Sequence, residues 1–144
     1  MENRRTFLRL TAALLPAGLG AQTAQPAPAA QTTPPRGPIE LARHSLTGPF
    51  EGFEAVLLQL NVPPGPSSSG PGHRHPGPVL GYVVEGQMRF AINHEPEQVV
   101  PVGGTFFEPS GAVHTTAGSA RPDGPTRALV FMLVPKGSPL TGPA

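Results

Sequence analysis

Gly103-Gly104-Thr105-Phe106-Phe107-Glu108-Pro109-Ser110-Gly111-Ala112-Val113-His114 reads as a short strand over Thr105–Glu108, a turn at Pro109-Ser110-Gly111, and a second strand over Val113–Thr116 that carries a histidine near its start. Proline fixes φ and glycine supplies φ > 0, so the two together punctuate strands and do not continue them. The same grammar extends on both sides. Upstream, Leu80–Val84, the turn Glu85-Gly86 and Gln87–Ile92 form a hairpin in which Met88, Phe90 and Ile92 alternate with Gln87, Arg89 and Ala91. Asn93–Pro96 turns again into Gln98–Val102, and downstream Thr126–Val134 is the last clear strand. Ile39–Leu46 and Phe53–Val62 precede them, separated by Thr47-Gly48-Pro49. Both faces of Phe53–Val62 are largely apolar, which predicts a strand covered on two sides. With 21 Pro and 18 Gly disfavouring long helices, eight or so short strands predict an all-β fold, a single antiparallel barrel or jelly roll.

The 144 residues suffice for one domain and one core. There is no Trp and only one Tyr, so that core must come from Val, Leu, Ile, Phe and Ala. Asn3-Arg4-Arg5-Thr6-Phe7-Leu8-Arg9, followed by the apolar Leu10–Leu19, reads as a twin-arginine-like signal peptide over residues 1–21. The expected location is therefore periplasmic or secreted. Residues 22–38, rich in Pro, Ala and Gln, read as a disordered linker, residues 39–135 as the folded domain and residues 136–144 as a flexible tail. Removing Met1–Ala21 takes away Glu2, Arg4, Arg5 and Arg9, and the net charge moves from +1 to −1. No polybasic stripe remains, which argues against nucleic acid and against an anionic membrane as partners. The absence of Cys excludes thiolate metal sites and cysteine nucleophiles.

His73 and His75 lie two apart, and on an extended backbone their imidazoles leave the chain on one side. Two nitrogen donors can then meet, and a third must come from elsewhere. Alone, this pair in a Gly/Pro loop equally describes two solvated histidines. Gly72-His73-Arg74-His75-Pro76-Gly77 through Tyr82-Val83-Val84-Glu85-Gly86 resembles cupin motif one. Motif two is matched with glycine, proline, glycine and histidine in place at Gly103, Pro109, Gly111 and His114. The resemblance spans roughly Ile39 to Val134 and implies a cupin-type barrel that holds one divalent transition metal, Fe, Mn, Ni, Cu or Zn, on His73, His75 and His114. Cupins commonly add a glutamate after the second histidine, with three or four residues between the two. Val79 and Leu80 occupy those places here, and Gly118 stands where motif two often has asparagine.

Some cupin dioxygenases bind iron through three histidines, so the resemblance permits a dioxygenase-like enzyme acting on a small aromatic or dicarbonyl molecule. Two alternatives stand beside it: a non-catalytic periplasmic binding module for a small ligand, and an oxygen-independent isomerase, lyase or cyclase. Homodimerisation is a family-level expectation. Met88, Phe90, Phe106, Leu129 and Phe131 are candidate lining residues. Glu54, in phase with Val56, Leu58 and Leu60, is a candidate replacement carboxylate, against the plainer reading of a strand-end residue reaching solvent. Tyr82 and Gln87 are candidate hydrogen-bonding groups for a pocket. His44 and His94 read as solvated, and Glu85 and Glu108 as structural strand-end residues.

Overall fold

A computed structural model describes residues 37–65 and 72–144 of the chain. The signal peptide expected over residues 1–21 and all but the last two residues of the expected linker lie outside the described residues. Ten strands follow in chain order: β1 (Gly37–Ser45), β2 (Phe53–Val62), β3 (His73–Arg74), β4 (Val79–Glu85), β5 (Gln87–Ile92), β6 (Gln98–Pro101), β7 (Thr105–Glu108), β8 (Val113–Ser119), β9 (Thr126–Pro135) and β10 (Gly142–Pro143). They form two five-stranded sheets in the orders β1-β2-β9-β4-β7 and β10-β3-β8-β5-β6, and every pairing is antiparallel. This is the jelly-roll arrangement expected of the sequence.

The core is aliphatic and thioether-rich. Val56, Val79, Val83, Met88, Met132 and Val134 are fully buried, joined by Phe90, Phe106 and Val130. Each such side chain contributes roughly 1.5–3 kcal/mol on leaving water. Two glycines show why the sequence cannot vary freely around this core. At Gly86 the β4–β5 turn takes φ +76, and an added Cβ would lie 2.6 Å from the Pro125 carbonyl oxygen. At Gly81 the Phe106 ring fills the side-chain space, so an added Cβ would sit 2.0 Å from a ring carbon. Phe106 is thereby pressed inward, where its ring stacks 4.9 Å from that of Phe90.

Three expectations change. β2 buries Glu54, Val56 and Leu58 on one face, while on the other Phe53 is exposed, Ala55, Leu57 and Gln59 are half-buried and Asn61 alone is buried. In β9 the inward phase is Ala128, Val130, Met132 and Val134, so Leu129 is only half-buried and Phe131 faces out. Both phases of that strand are apolar, and alternation alone cannot choose between them. Finally, residues 136–144, expected as a flexible tail, carry β10, which pairs with β3, and Leu140 packs against the core.

Candidate metal centre

The site lies where the two sheets meet. β3 pairs with β8 so that His73 stands directly opposite His114. His75 follows two residues on, its ring 4.9 Å from that of His73. The three histidines each offer one nitrogen, and those atoms lie within 4.8 Å of one another. Backbone links lock the two motif segments together: the Gly111 amide donates to the His75 carbonyl at 3.1 Å, Ser110 Oγ donates to the Pro76 carbonyl at 3.2 Å, and the Arg74 guanidinium donates to the Gly111 carbonyl. The register shift in β5–β8, which passes from Ala91–Thr116 to Ile92–His114, places a bulge beside His114. Bulges re-aim side chains in this way.

Each of two rings has one nitrogen committed. His75 Nδ1 lies 2.7 Å from the Leu140 carbonyl, and His114 Nε2 lies 2.9 Å from the Thr116 carbonyl. A carbonyl only accepts, so both nitrogens carry hydrogen and the lone pairs sit on His75 Nε2 and His114 Nδ1. Such outer hydrogen bonds fix tautomer and ring orientation for metal binding. Burial also pushes the His114 imidazole down to about 4, helped by repulsion from His73 and opposed by the Thr116 carbonyl. Burial, with repulsion from His75, lowers His73 too. Neutral imidazole is the ligating form, so these shifts favour metal over proton.

Glu108, read from the sequence as a structural strand-end residue, stands at this site. It is only 2% exposed. Its Oε1 lies 3.3 Å from His114 Nδ1 and its Oε2 lies 3.7 Å from His75 Nε2, and Oε2 has no hydrogen-bond partner among the described residues. Burial raises its carboxyl to about 7. The available signal was its place in the motif, one residue before the turn proline, on the alternate phase to the exposed Phe107.

The other candidates fall elsewhere. Glu54 is held by Arg43 Nη1 at 2.7 Å and the Gly137 amide at 3.3 Å, and it does not line the cavity. Tyr82 is exposed on the outer sheet face. At Gln87 it is the backbone that is engaged, with Thr126 Oγ1 at 2.9 and 3.2 Å, while its side chain is exposed. His44 and His94 are exposed, as expected. Glu85, expected as structural, pairs with Arg127 at 2.5 Å.

Beside the histidines is a cavity of about 560 Å³ walled by Leu58, Val79, Met88, Phe106, Val130 and Met132, with Glu108 as the one acidic group among its described lining residues. The cupin domain family model matches residues 59–132, just over half of the chain and inclusive of all three histidines and Glu108. The chain is a cupin. No curated protein matches this cupin. Among solved structures it is similar to a cupin-like protein from Thermotoga maritima, with 19% identity and a TM-score of 0.54 over 74% of each chain. It is also similar to an uncharacterised conserved protein with a double-stranded β-helix domain from Klebsiella pneumoniae, with 18% identity and a TM-score of 0.52 over 75% of this chain and 84% of that one. A structure of the DMSP lyases RdDddP and RnDddQII gives 23% identity and a TM-score of 0.53 over 74% of this cupin. This cupin spans about half of that lyase chain, 51%. At these identities the likeness establishes the fold.

Proposed function

We propose that this cupin binds one divalent transition metal, Fe, Mn, Ni, Cu or Zn, through His73, His75 and His114, and acts on a small aromatic or dicarbonyl molecule in the adjoining cavity as a dioxygenase-like enzyme. The carrying observation is the convergence of three histidines at the wall of a cavity large enough for a small molecule. The donor set fits such an ion: imidazole suits first-row metals, and His75 and His114 each present a lone pair to the centre. When bound, the ion would supply Lewis-acid polarisation of a carbonyl or, with a redox-active metal, oxygen activation.

The protein's own part is positioning and exclusion of water. Met88, Phe106, Val130 and Met132 pack the substrate's apolar body, which strengthens polar contacts at the histidine end. A second reading, an oxygen-independent isomerase, lyase or cyclase, draws support from Glu108, a carboxyl inside the cavity wall within reach of the same substrate.

Elemental mass spectrometry on protein purified without chelators tests the metal. Near-stoichiometric metal that is lost in the His73→Ala/His75→Ala variant supports the reading. Protein that is metal-free yet retains small-molecule binding turns it into the non-catalytic binding module. Oxygen uptake with aromatic and dicarbonyl compounds separates the oxygen-dependent from the oxygen-independent reaction.

Two further elements belong to the proposal. Export rests on Asn3–Arg9 and the apolar residues after it, and disappears if Arg4→Lys/Arg5→Lys leaves localisation unchanged. Homodimerisation is supported by the outer face of the first sheet, where Leu80, Tyr82, Phe107 and Phe131 are all exposed and Leu80 is paired with both Phe107 and Phe131. Light scattering gives a dimer mass for the parent and a monomer mass for Phe107→Glu/Phe131→Glu.

A further inference from the structure

Cupin motif one ordinarily supplies its carboxylate from β4, and this chain has Val79 there. Val79 and Glu108 are direct cross-strand partners in the β4–β7 ladder. Side chains at paired positions leave the same face of a sheet with their Cβ atoms about 4.5–5.5 Å apart. The position that lost its acid therefore faces a neighbour that has one.

We infer that Glu108 is the acidic ligand of the metal site, delivered from β7 to the place that motif one fills from β4. The inference rests on the three-histidine reading above. Glu108 is 2% exposed, and among the described residues its ion-pair contacts are only with His75 and His114. Its Oε2 has no hydrogen-bond partner among the described residues. A carboxylate this deep is normally paired or coordinates a metal, and no Arg or Lys among the described residues reaches it.

The spacing points the same way. Oε1 to His114 Nδ1 is 3.3 Å and Oε2 to His75 Nε2 is 3.7 Å, and neither contact makes a hydrogen bond. Two ligands of one ion, on bonds of about 2.0–2.2 Å, lie roughly 2.8–3.1 Å apart in octahedral geometry and roughly 3.3–3.6 Å apart in tetrahedral geometry. The carboxylate thus stands from the free histidine nitrogens at close to the separation of neighbouring ligands, and those nitrogens are the ones not bonded to Leu140 and Thr116.

Cobalt(II) titration of the full chain, in competition with a chromophoric chelator and followed by the visible d–d spectrum, tests this. Glu108→Gln keeps the side-chain shape, and its metal-free melting curve reports folding independently of the metal. The expected result is at least about a tenfold rise in Kd for cobalt with a changed spectrum, and loss of binding in His114→Ala. The exchange variant Val79→Glu/Glu108→Val returns the acid to β4 and should recover affinity to within a few-fold of the parent. Parent-like affinity and spectrum in Glu108→Gln overturn the inference while leaving the three-histidine site standing. A parent that binds no cobalt overturns that site, and the inference with it.

Discussion

Glu54 and Glu108 both lie on the inner side of the same sheet, on β2 and β7, and both are buried, yet their surroundings are opposite. Glu54 receives Arg43 at 2.7 Å and the Gly137 amide at 3.3 Å, and these donors hold its carboxyl below the usual carboxylate range, against a smaller burial effect. Among the described residues Glu108 receives no Arg or Lys and keeps an unpartnered oxygen, and burial pushes it up to about 7. One carboxylate is satisfied within the fold. The other is held unsatisfied beside three histidines, as a group retained for a ligand would be.

The largest expected effect separates the two corners outright. His73→Ala/His75→Ala abolishes stoichiometric metal, whereas Glu54→Gln leaves metal content at the parent level, both read by elemental mass spectrometry. Metal loss on changing Glu54 would break the contrast. Next in size, Glu108→Gln in the metal-free protein at pH 8 removes a buried, unpaired negative charge and raises stability by about 1–3 kcal/mol in denaturant titration. A clear loss would mean that Glu108 is already satisfied without metal.

The pH course sharpens the same point. Glu108, raised in the folded state, contributes stability that is full below about pH 4.5 and is lost as pH rises toward 7. His114, lowered in the folded state, contributes stability that is full above about pH 6.5 and is lost as pH falls toward 4. Each is worth up to about 3 kcal/mol and they run in opposite directions, so in the metal-free parent the two largely offset one another between pH 7 and 4.5, leaving the loss on acidification that comes from the lowered His73. Glu108→Gln should then lose stability on acidification, and His114→Gln should gain it. Parallel profiles for the two variants would show that the groups do not titrate as separate sites.

The smallest effect lies at the satisfied corner. Arg43→Ala lowers the melting temperature at pH 7, and the deficit shrinks as pH falls through the carboxylate range, because the folded-state pKa of Glu54 is the depressed one. A deficit independent of pH would trace instead to lost packing of the Arg43 stem.

Much of this was legible in the chain. Because turn chemistry is a local property, the turns at Thr47-Gly48-Pro49, Glu85-Gly86 and Pro109-Ser110-Gly111 separated strands that the structure places within a residue or two of their expected limits, except that β8 runs three residues further, to Ser119. The pair His73 and His75 was legible for the same reason, since extended backbone fixes the direction of alternate side chains. Where both phases of a strand are apolar, as in β9, local pattern fell silent, and Leu129 and Phe131 went to the outer side. Glu54 stood as a candidate carboxylate because its phase is inward, beside the plainer reading of a strand-end residue reaching solvent, and only the approach of Arg43 and Gly137 shows it to be buried and occupied.

By itself, then, the sequence determined an antiparallel all-β chain and the three histidines of a cupin, through turn residues and spacings that act over a few positions. Tertiary structure alone decided which acid stands among those histidines. Val79 and Glu108 are far apart along the chain, and they meet only because β4 and β7 pair in one particular register. That register is set by packing of the whole inner face, Phe106 against Gly81 included, and no local pattern encodes it.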